Sequence, residues 1–487
     1  MLRFGIGTAL VIGLLGVSPR EPAATPGAVV VSDTTTRAGE IPRVRSTRDD
    51  RESVAITVYN QNFGLVREVR SLPVGVGDVE LEYRDVASAI QTETVHVRPL
   101  ESGFRVLEQN YRYDLLNPQK LLEKYVGRTV TVYRYDPATE REEALEAEVL
   151  SVNNGTILRI GDEITYNVPG RMAFPELPDD LIAEPTLVWL VNSRADRQRL
   201  EVSYLTQQLN WKADYVMVID EDDAAADLTG WVTLANNSGT SYENARLKLV
   251  AGDVQRVGRN DMMEYAARAA AEAQDAAFSE EAFFEYHLYT LDRPTTVRNN
   301  EQKQVTLLEA SDFGVDKRMI FYGAEHYYRG QYGQVVSNQK VGVYLDFENS
   351  ESNRLGMPLP AGVVRVYKED SSGAQQFIGE DRIDHTPRDE TVRIKMGEAF
   401  DVVGDRRQME WTTLGHCSSQ SRWAVELRNH KDEAVEVQVM EPVGGDWTIV
   451  SSTHRAQKLD AHTFRFDVEV PARGATEIEY TVRVRWC

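Results

Sequence analysis

With 487 residues and 42% hydrophobic side chains, the chain is long enough for about three domains with filled cores, which excludes disorder throughout. Its 76 Asp and Glu against 54 Lys and Arg give a formal net charge of −22, with the acids spread along most of the sequence. A polyanion repels phosphate backbones, and no basic, aromatic-interleaved patch relieves that repulsion, so nucleic acid is not an expected partner.

The N-terminus, MLRFGIGTALVIGLLGV, sets Arg3 before an apolar run from Phe4 to Val17 of signal-peptide length, too short and glycine-rich to span a bilayer comfortably. It predicts an export signal over residues 1–28, cleaved near Ala24 or Ala28, with an uncleaved anchor as the alternative. The mature chain is expected in the periplasm or cell envelope, without a transmembrane segment. Residues 29–52 are largely polar and lack a period, which predicts a disordered linker.

An N-terminal β domain is expected over 53–199. Its short β-branched or alternating runs VAITVYN, GLVREVRSLPV, VELEYRDV and TVHVRPL are separated by Gly, Pro and Asn, the pattern of an antiparallel meander. One helix interrupts it in NPQKLLEKYVG, where Asn117 caps, Pro118 opens the first turn and Gly127 stands past the end. The tight strands RTVTVYRY, EALEAEVLSV, TILRIG and ITYNV then predict a small barrel-like insert at about 127–168.

A central β domain is expected over 200–415. In LNWKADYVMVID, Trp211, Ala213, Tyr215, Met217 and Ile219 share one face of a strand, and the acidic DEDD at Asp220–Asp223 follows as a solvated turn without the ligand spacing of a calcium loop. Residues 260–284 are rich in alanine and glutamate and contain no β-branched residue, which predicts a helical insert. The following EYHLYTL reads as a strand, with His287 a core histidine between Tyr286 and Tyr289 rather than a ligand or base. Over 416–487 the strand signals recur about every ten residues and predict an immunoglobulin-like β-sandwich. Its last strand sets Ile478, Tyr480, Val482, Val484 and Trp486 on one face. The fold class is therefore mainly β, multidomain antiparallel β-sandwiches with a small barrel-like insert and a short helical insert.

The chain contains no P-loop, no strand-linked GxGxxG, no HExxH and no GxSxG. Two polar constellations stand out: EDRIDHTPRDE, with Asp384 beside His385, and GHCSS, with His416 beside Cys417. Neighbours along a strand point to opposite faces, so neither pair need meet. His96, His326, His430, His454 and His462 are isolated, and no metal or cofactor site is expected. Cys417 and Cys487 are the only cysteines, and an internal bridge, two free thiols and a link between molecules all remain open. If the first and last strands of the terminal sandwich run parallel, the two residues lie too far apart to join.

The blocks LTQQLNWKADY, GTSYENARLKLVAGDV, EYHLYTLDRPTTVRNNEQKQVTLLEA, LGMPLPAGVVRVYKED, GEDRIDHTP, ELRNHK and GDW, in this order from Leu200 to the end, resemble the bacterial exported family of domain of unknown function 4139, related to mucoidy-inhibitor-A-like proteins. The long coiled coil of some mucoidy-inhibitor-like relatives is missing. The resemblance implies a β-rich envelope protein and brings no catalytic residue with it. The leading reading is a non-enzymatic module binding an envelope protein or a glycan. The alternative is an envelope hydrolase whose acid and base come from Asp384, His385 or His416.

Overall fold

Alternating apolar and polar residues, carried by β-branched and aromatic side chains, favour strands, and the computed structural model is mainly β with a single α-helix among the described residues. It describes residues 41–112, 116–136, 140–178, 181–182, 184–252, 254–255, 278–283 and 286–487. The export signal, the linker up to residue 40 and the Ala/Glu-rich insert up to residue 277 lie outside these residues. The chain divides into Met1–Pro42 and Arg43–Cys487, and every sheet among the described residues lies in the second unit. Among the described residues no helix is long and apolar enough to cross a membrane.

The first sheet has four strands in the order Arg43–Ser46, Gly77–Arg84, Thr186–Ser193 and Phe104–Arg112. The linker expected to reach residue 52 therefore ends earlier: Arg43–Ser46 pairs in parallel with Gly77–Arg84, Arg43 opposite Glu80. Cross-strand charge pairing, with Arg43 on Glu80 and Arg45 on Glu82, supplies what the weak hydrophobic period does not. The helix Pro118–Lys124 forms as expected, with the Asn117 side chain accepting from the Lys120 N–H at 2.9 Å. It leads into a small barrel-like sheet ordered Glu163–Tyr166, Ile157–Ile160, Arg141–Ser151, Thr129–Asp136 and Arg171–Ala173. Tyr125, Val130, Val132, Ala147, Val149 and Leu158 give this insert its own core.

Strands on either side of residue 200 share an eight-stranded sheet. Arg51–Tyr59 pairs with Phe63–Leu72 on one side and in parallel with Tyr242–Ala251 on the other. One continuous core runs from Val54 to Ile394, filled in part by Trp211, Ala213, Tyr215, Met217 and Ile219 from the face the alternation predicts. At the far edge of that sheet Phe278–Phe283 pairs with Tyr286–Leu291 as a strand, so the expected helix does not extend over these residues. Helix propensity is a weak preference, and an open sheet edge satisfies every second backbone group of an incoming segment. A five-stranded sheet ordered Glu301–Gly314, Ala225–Asn236, Leu209–Ile219, Gly362–Glu369 and Gln375–Ile383 packs against the same core.

The last sheet has nine strands, ordered Asp446–Ser452, Ala475–Arg485, Ser418–Asn429, Thr391–Gly415, Gln334–Glu348, Asp316–Tyr322, Val435–Pro442, Thr463–Val470 and Ala456–Lys458. It curls back so that Phe464 and Phe466 meet Tyr480 at 5.7 and 5.2 Å between ring centres. Three of its strands precede residue 416, so no sheet breaks at 415/416, just as none breaks at 199/200. The strand Ser418–Asn429 runs antiparallel to Ala475–Arg485, with Ser418 opposite Arg485. The parallel arrangement that would separate the cysteines is thus not the one adopted. Cys417 and Cys487 lie 5.9 Å apart at their α-carbons and form a disulfide.

Buried and half-buried carboxylates are held by cations. Burial opposes ionisation of Asp214, yet hydrogen bonds from Lys212 and Arg365 outweigh it and hold the carboxyl below its ordinary value. Asp223, in the acidic turn, is held low in the same way by Lys317 and Lys368 against the opposing effect of burial. Such groups contribute stability that is fully present above their unfolded-state pKa and is lost as the pH falls through the lower folded-state value. The Tm is therefore expected to be level from about pH 8 to about pH 5 and to fall below about pH 4; calorimetry showing no change down to about pH 3 contradicts this. For the disulfide, alkylation of the denatured, unreduced protein is expected to label no cysteine while the mass stays monomeric. Reduction, releasing a loop with a sequence separation of 70, is expected to cost about 4 kcal/mol in denaturant unfolding.

Candidate binding surface

The strand Asp316–Tyr322 ends in YGAEHYYRGQYGQ, which turns through a 3-10 helix, Glu325–Arg329, into the strand Gln334–Glu348. Beneath the turn lies an ion pair with no exposed surface: Arg406 Nη2 stands 2.5 Å from Glu441 Oε1. Arg406 Nη1 donates to the Tyr322 carbonyl at 3.1 Å, and the Tyr328 hydroxyl donates to Glu441 Oε2 at 2.8 Å. Tyr480 closes the cluster, its hydroxyl 3.1 Å from that of Tyr328. Burial, and then the Glu441 charge, push both phenols well above their ordinary pKa, so they remain protonated. Gly323 lets the backbone cross this cluster, because a β-carbon there would fall on the Glu441 carboxylate.

With Tyr328 pointing inward as an anchor, Tyr327 is half-buried against the same core and His326 is exposed. His326 and Tyr327 have ring centres 4.5 Å apart, and Tyr332 stands 6.5 Å from each, all three edge-on to one another. Gln408 fixes the loop behind Tyr332: its Oε1 accepts from the Tyr332 N–H at 2.5 Å, and its Nε2 donates to the Gly330 carbonyl at 3.0 Å. The Tyr332 hydroxyl reaches back to the His326 carbonyl at 3.2 Å. Arg329 pairs with Glu325 and lies 5.2 Å from the ring centre of Trp486.

Trp486 is placed by two separate features. Its backbone N–H donates to the Cys417 carbonyl at 2.9 Å, next to the disulfide. Its indole lies over the turn of the GGDW segment, where β-carbons at Gly444 and Gly445 would stand 3.0 and 3.2 Å from ring carbons. Gly445 has φ +75°, a conformation other residues rarely adopt. The outcome is an aromatic surface in which Tyr332, 41% exposed, and His326 stand out from half-buried Tyr327, with half-buried Trp486 beside Arg329.

The acid and base candidates are not assembled with one another. His385 accepts the Ala361 N–H on Nδ1 at 3.1 Å, and its Nε2 lies 3.4 Å from the Asn60 amide nitrogen. Asp384 precedes the 25-residue strand Thr391–Gly415, whereas His416 follows its far end beside the disulfide. His287 lies opposite Ala251 and Ala282 in a strand, as expected, but is half-buried rather than a core residue. Among the described residues no group of three His, Cys, Asp or Glu is arranged to hold a metal ion. Sequence reasoning passed over the turn itself, treating His326 as isolated. The signal was four ring side chains at 326, 327, 328 and 332 around Gly330.

These features define a mainly β protein presenting aromatic side chains from a short turn. The chain belongs to the family described as Domain of unknown function (DUF4139), which matches residues 200–487 and so includes every residue of the aromatic surface. Among curated proteins none matches the chain.

Replacing Arg406 by Met leaves Glu441 buried without its counter-charge and is expected to destabilise by about 3–5 kcal/mol. The double replacement Arg406→Met, Glu441→Leu is expected to recover most of that loss in denaturant unfolding. Equal losses in both variants would show that the pair is not coupled.

Proposed function

We propose that the protein is an exported, non-enzymatic component of the cell envelope that binds glycan on the surface formed by His326, Tyr327, Tyr332 and Trp486. The observation that carries this reading is the set of rings at the surface, His326 and Tyr332 exposed and Tyr327 and Trp486 half-buried, held by Gln408, the Arg406–Glu441 pair and the Cys417 disulfide. Sugars present C–H faces that stack on aromatic rings, and hydroxyls that bond to phenol and imidazole tips, so a mixed surface of this kind suits them better than an aliphatic patch would. Rigidity limits the entropy lost on binding. Export is supported by Arg3 with the apolar run Phe4–Val17, and by a disulfide that persists in an oxidising compartment.

The test is co-sedimentation of the purified full chain with insoluble peptidoglycan. Binding is expected for the wild type, and the variants Tyr332→Ala and Trp486→Ala, with unchanged circular dichroism, are each expected to bind about three- to tenfold more weakly. Wild-type protein left in the supernatant, or variants that sediment as well as the wild type, would overturn the reading.

A further inference from the structure

We infer that a cleft in the N-terminal sheet, separate from the aromatic surface, binds a small oxyanion-bearing molecule, a carboxylate or a phosphate. The cleft has a volume of about 400 Å3 and is walled by Phe104 and Leu107, with Asp78, Arg105, Asn192 and Arg194 as its polar groups. Ligand cavities typically run from roughly 300 to 1,000 Å3, so it has room for a small molecule.

Pairing distinguishes its arginines from those of the rest of the same sheet. Arg43, Arg45, Arg84 and Arg112 each contact Glu80 or Glu82, at 2.8, 3.3, 2.6 and 3.5 Å. At the other end, Arg105, Asn192 and Asp78 form one cross-strand row, since Asn192 lies opposite both of the others. Among the described residues neither Arg105 nor Arg194 forms an ion pair. Against the single Asp78 carboxylate of the same wall, these two guanidinium groups leave one positive charge in excess in a chain of net charge −22. Gly103 shapes the site: its φ is +90°, and a β-carbon there would stand 3.1 Å from Arg194 Cβ, so the missing side chain lets Arg194 close over the loop. Its backbone is held there by the Arg194 N–H donating to the Gly103 carbonyl at 2.8 Å.

Asn192 donates to Asp78 at 2.6 Å, which orients the one carboxylate of the wall. A ligand with an oxyanion for the two arginines and a neighbouring hydroxyl for Asp78 satisfies every polar group named. Arginine forks suit planar carboxylates and tetrahedral phosphates alike.

Calorimetric titration of the full chain with inorganic phosphate, D-gluconate and neutral D-glucose tests this. Phosphate or gluconate, or both, is expected to bind with a Kd of about 1 mM or tighter, and glucose at least about tenfold more weakly. The phosphate and gluconate arms distinguish the two oxyanion chemistries. Arg105→Gln and Arg194→Gln are each expected to weaken binding about tenfold, with the Tm of the unliganded protein unchanged, whereas Arg382→Gln elsewhere on the surface leaves affinity as it was. Binding of neither anion, or equal binding by the Arg105→Gln, Arg194→Gln double variant, would overturn the inference.

Discussion

An ion pair without solvent contact must be satisfied by its surroundings, and the Arg406–Glu441 pair sets the shape of the C-terminal sheet in that way. Its two members come from the strands Thr391–Gly415 and Val435–Pro442. Their further partners come from elsewhere: the Tyr322 carbonyl and the Tyr328 hydroxyl, itself beside Tyr480 of the last strand, while Arg406 Nε has no hydrogen-bond partner among the described residues. Because an unsatisfied buried charge costs several kcal/mol, these elements are bound to one geometry and the turn that carries the exposed rings inherits its stiffness. The N-terminal half solves the same problem with the same residue types. Glu68 accepts from Arg70 at 2.7 Å and from Tyr83 at 2.7 Å, and Arg51 approaches it at 2.6 Å.

Three buried asparagines at strand ends perform a second repeated task. Asn236 donates to the carbonyls of Thr240, Val297 and Arg298, Asn349 to those of Met357 and Pro387, and Asn429 to those of Glu433, Val470 and Pro471. Each side-chain oxygen accepts a nearby backbone N–H in return, from Ser238, Gly356 and Lys431. One amide thus ties the loop after its own strand to a distant segment, replacing backbone pairing where the sheets end. This gives a physical meaning to the segments LANNSG and ELRNHK, whose polar residues would otherwise read as ordinary turn.

Much of the fold was legible because alternation is local. The buried face of Leu209–Ile219 and that of Ala475–Arg485 follow directly from period two, and Asn117–Pro118 marked the helix start. What escaped depends on pairing between distant segments. Arg43–Ser46 is a strand because Glu80 and Glu82 lie across from it, and Phe278–Phe283 is one because Tyr286–Leu291 offers an edge. Among the described residues the four parallel strand pairings join segments well separated in sequence, so no local pattern announces them. Site residues were harder still. Asp384 and His416 stood out as chemical types, yet types do not reveal convergence. The ring cluster at 326–332 acquires its meaning from Arg406 and Gln408, some eighty residues later.

Net charge separates the two surfaces by the physics each relies on. In a chain of −22 the long-range field repels anions, so an oxyanion reaching Arg105 and Arg194 depends on attraction acting within a screening length of about 8 Å at physiological salt. Added salt weakens the local attraction and the global repulsion together. Affinity at the cleft therefore depends on ionic strength through two opposing effects. Contacts of neutral sugar faces with Tyr332 and Trp486 involve dispersion and released water, with almost no counterion term. Arg329 does not alter that, since its charge is already taken up by Glu325 and its guanidinium lies against the Trp486 ring. The aromatic surface is therefore the one of the two whose binding should be nearly indifferent to salt, because its arginine is paired and those of the cleft are not.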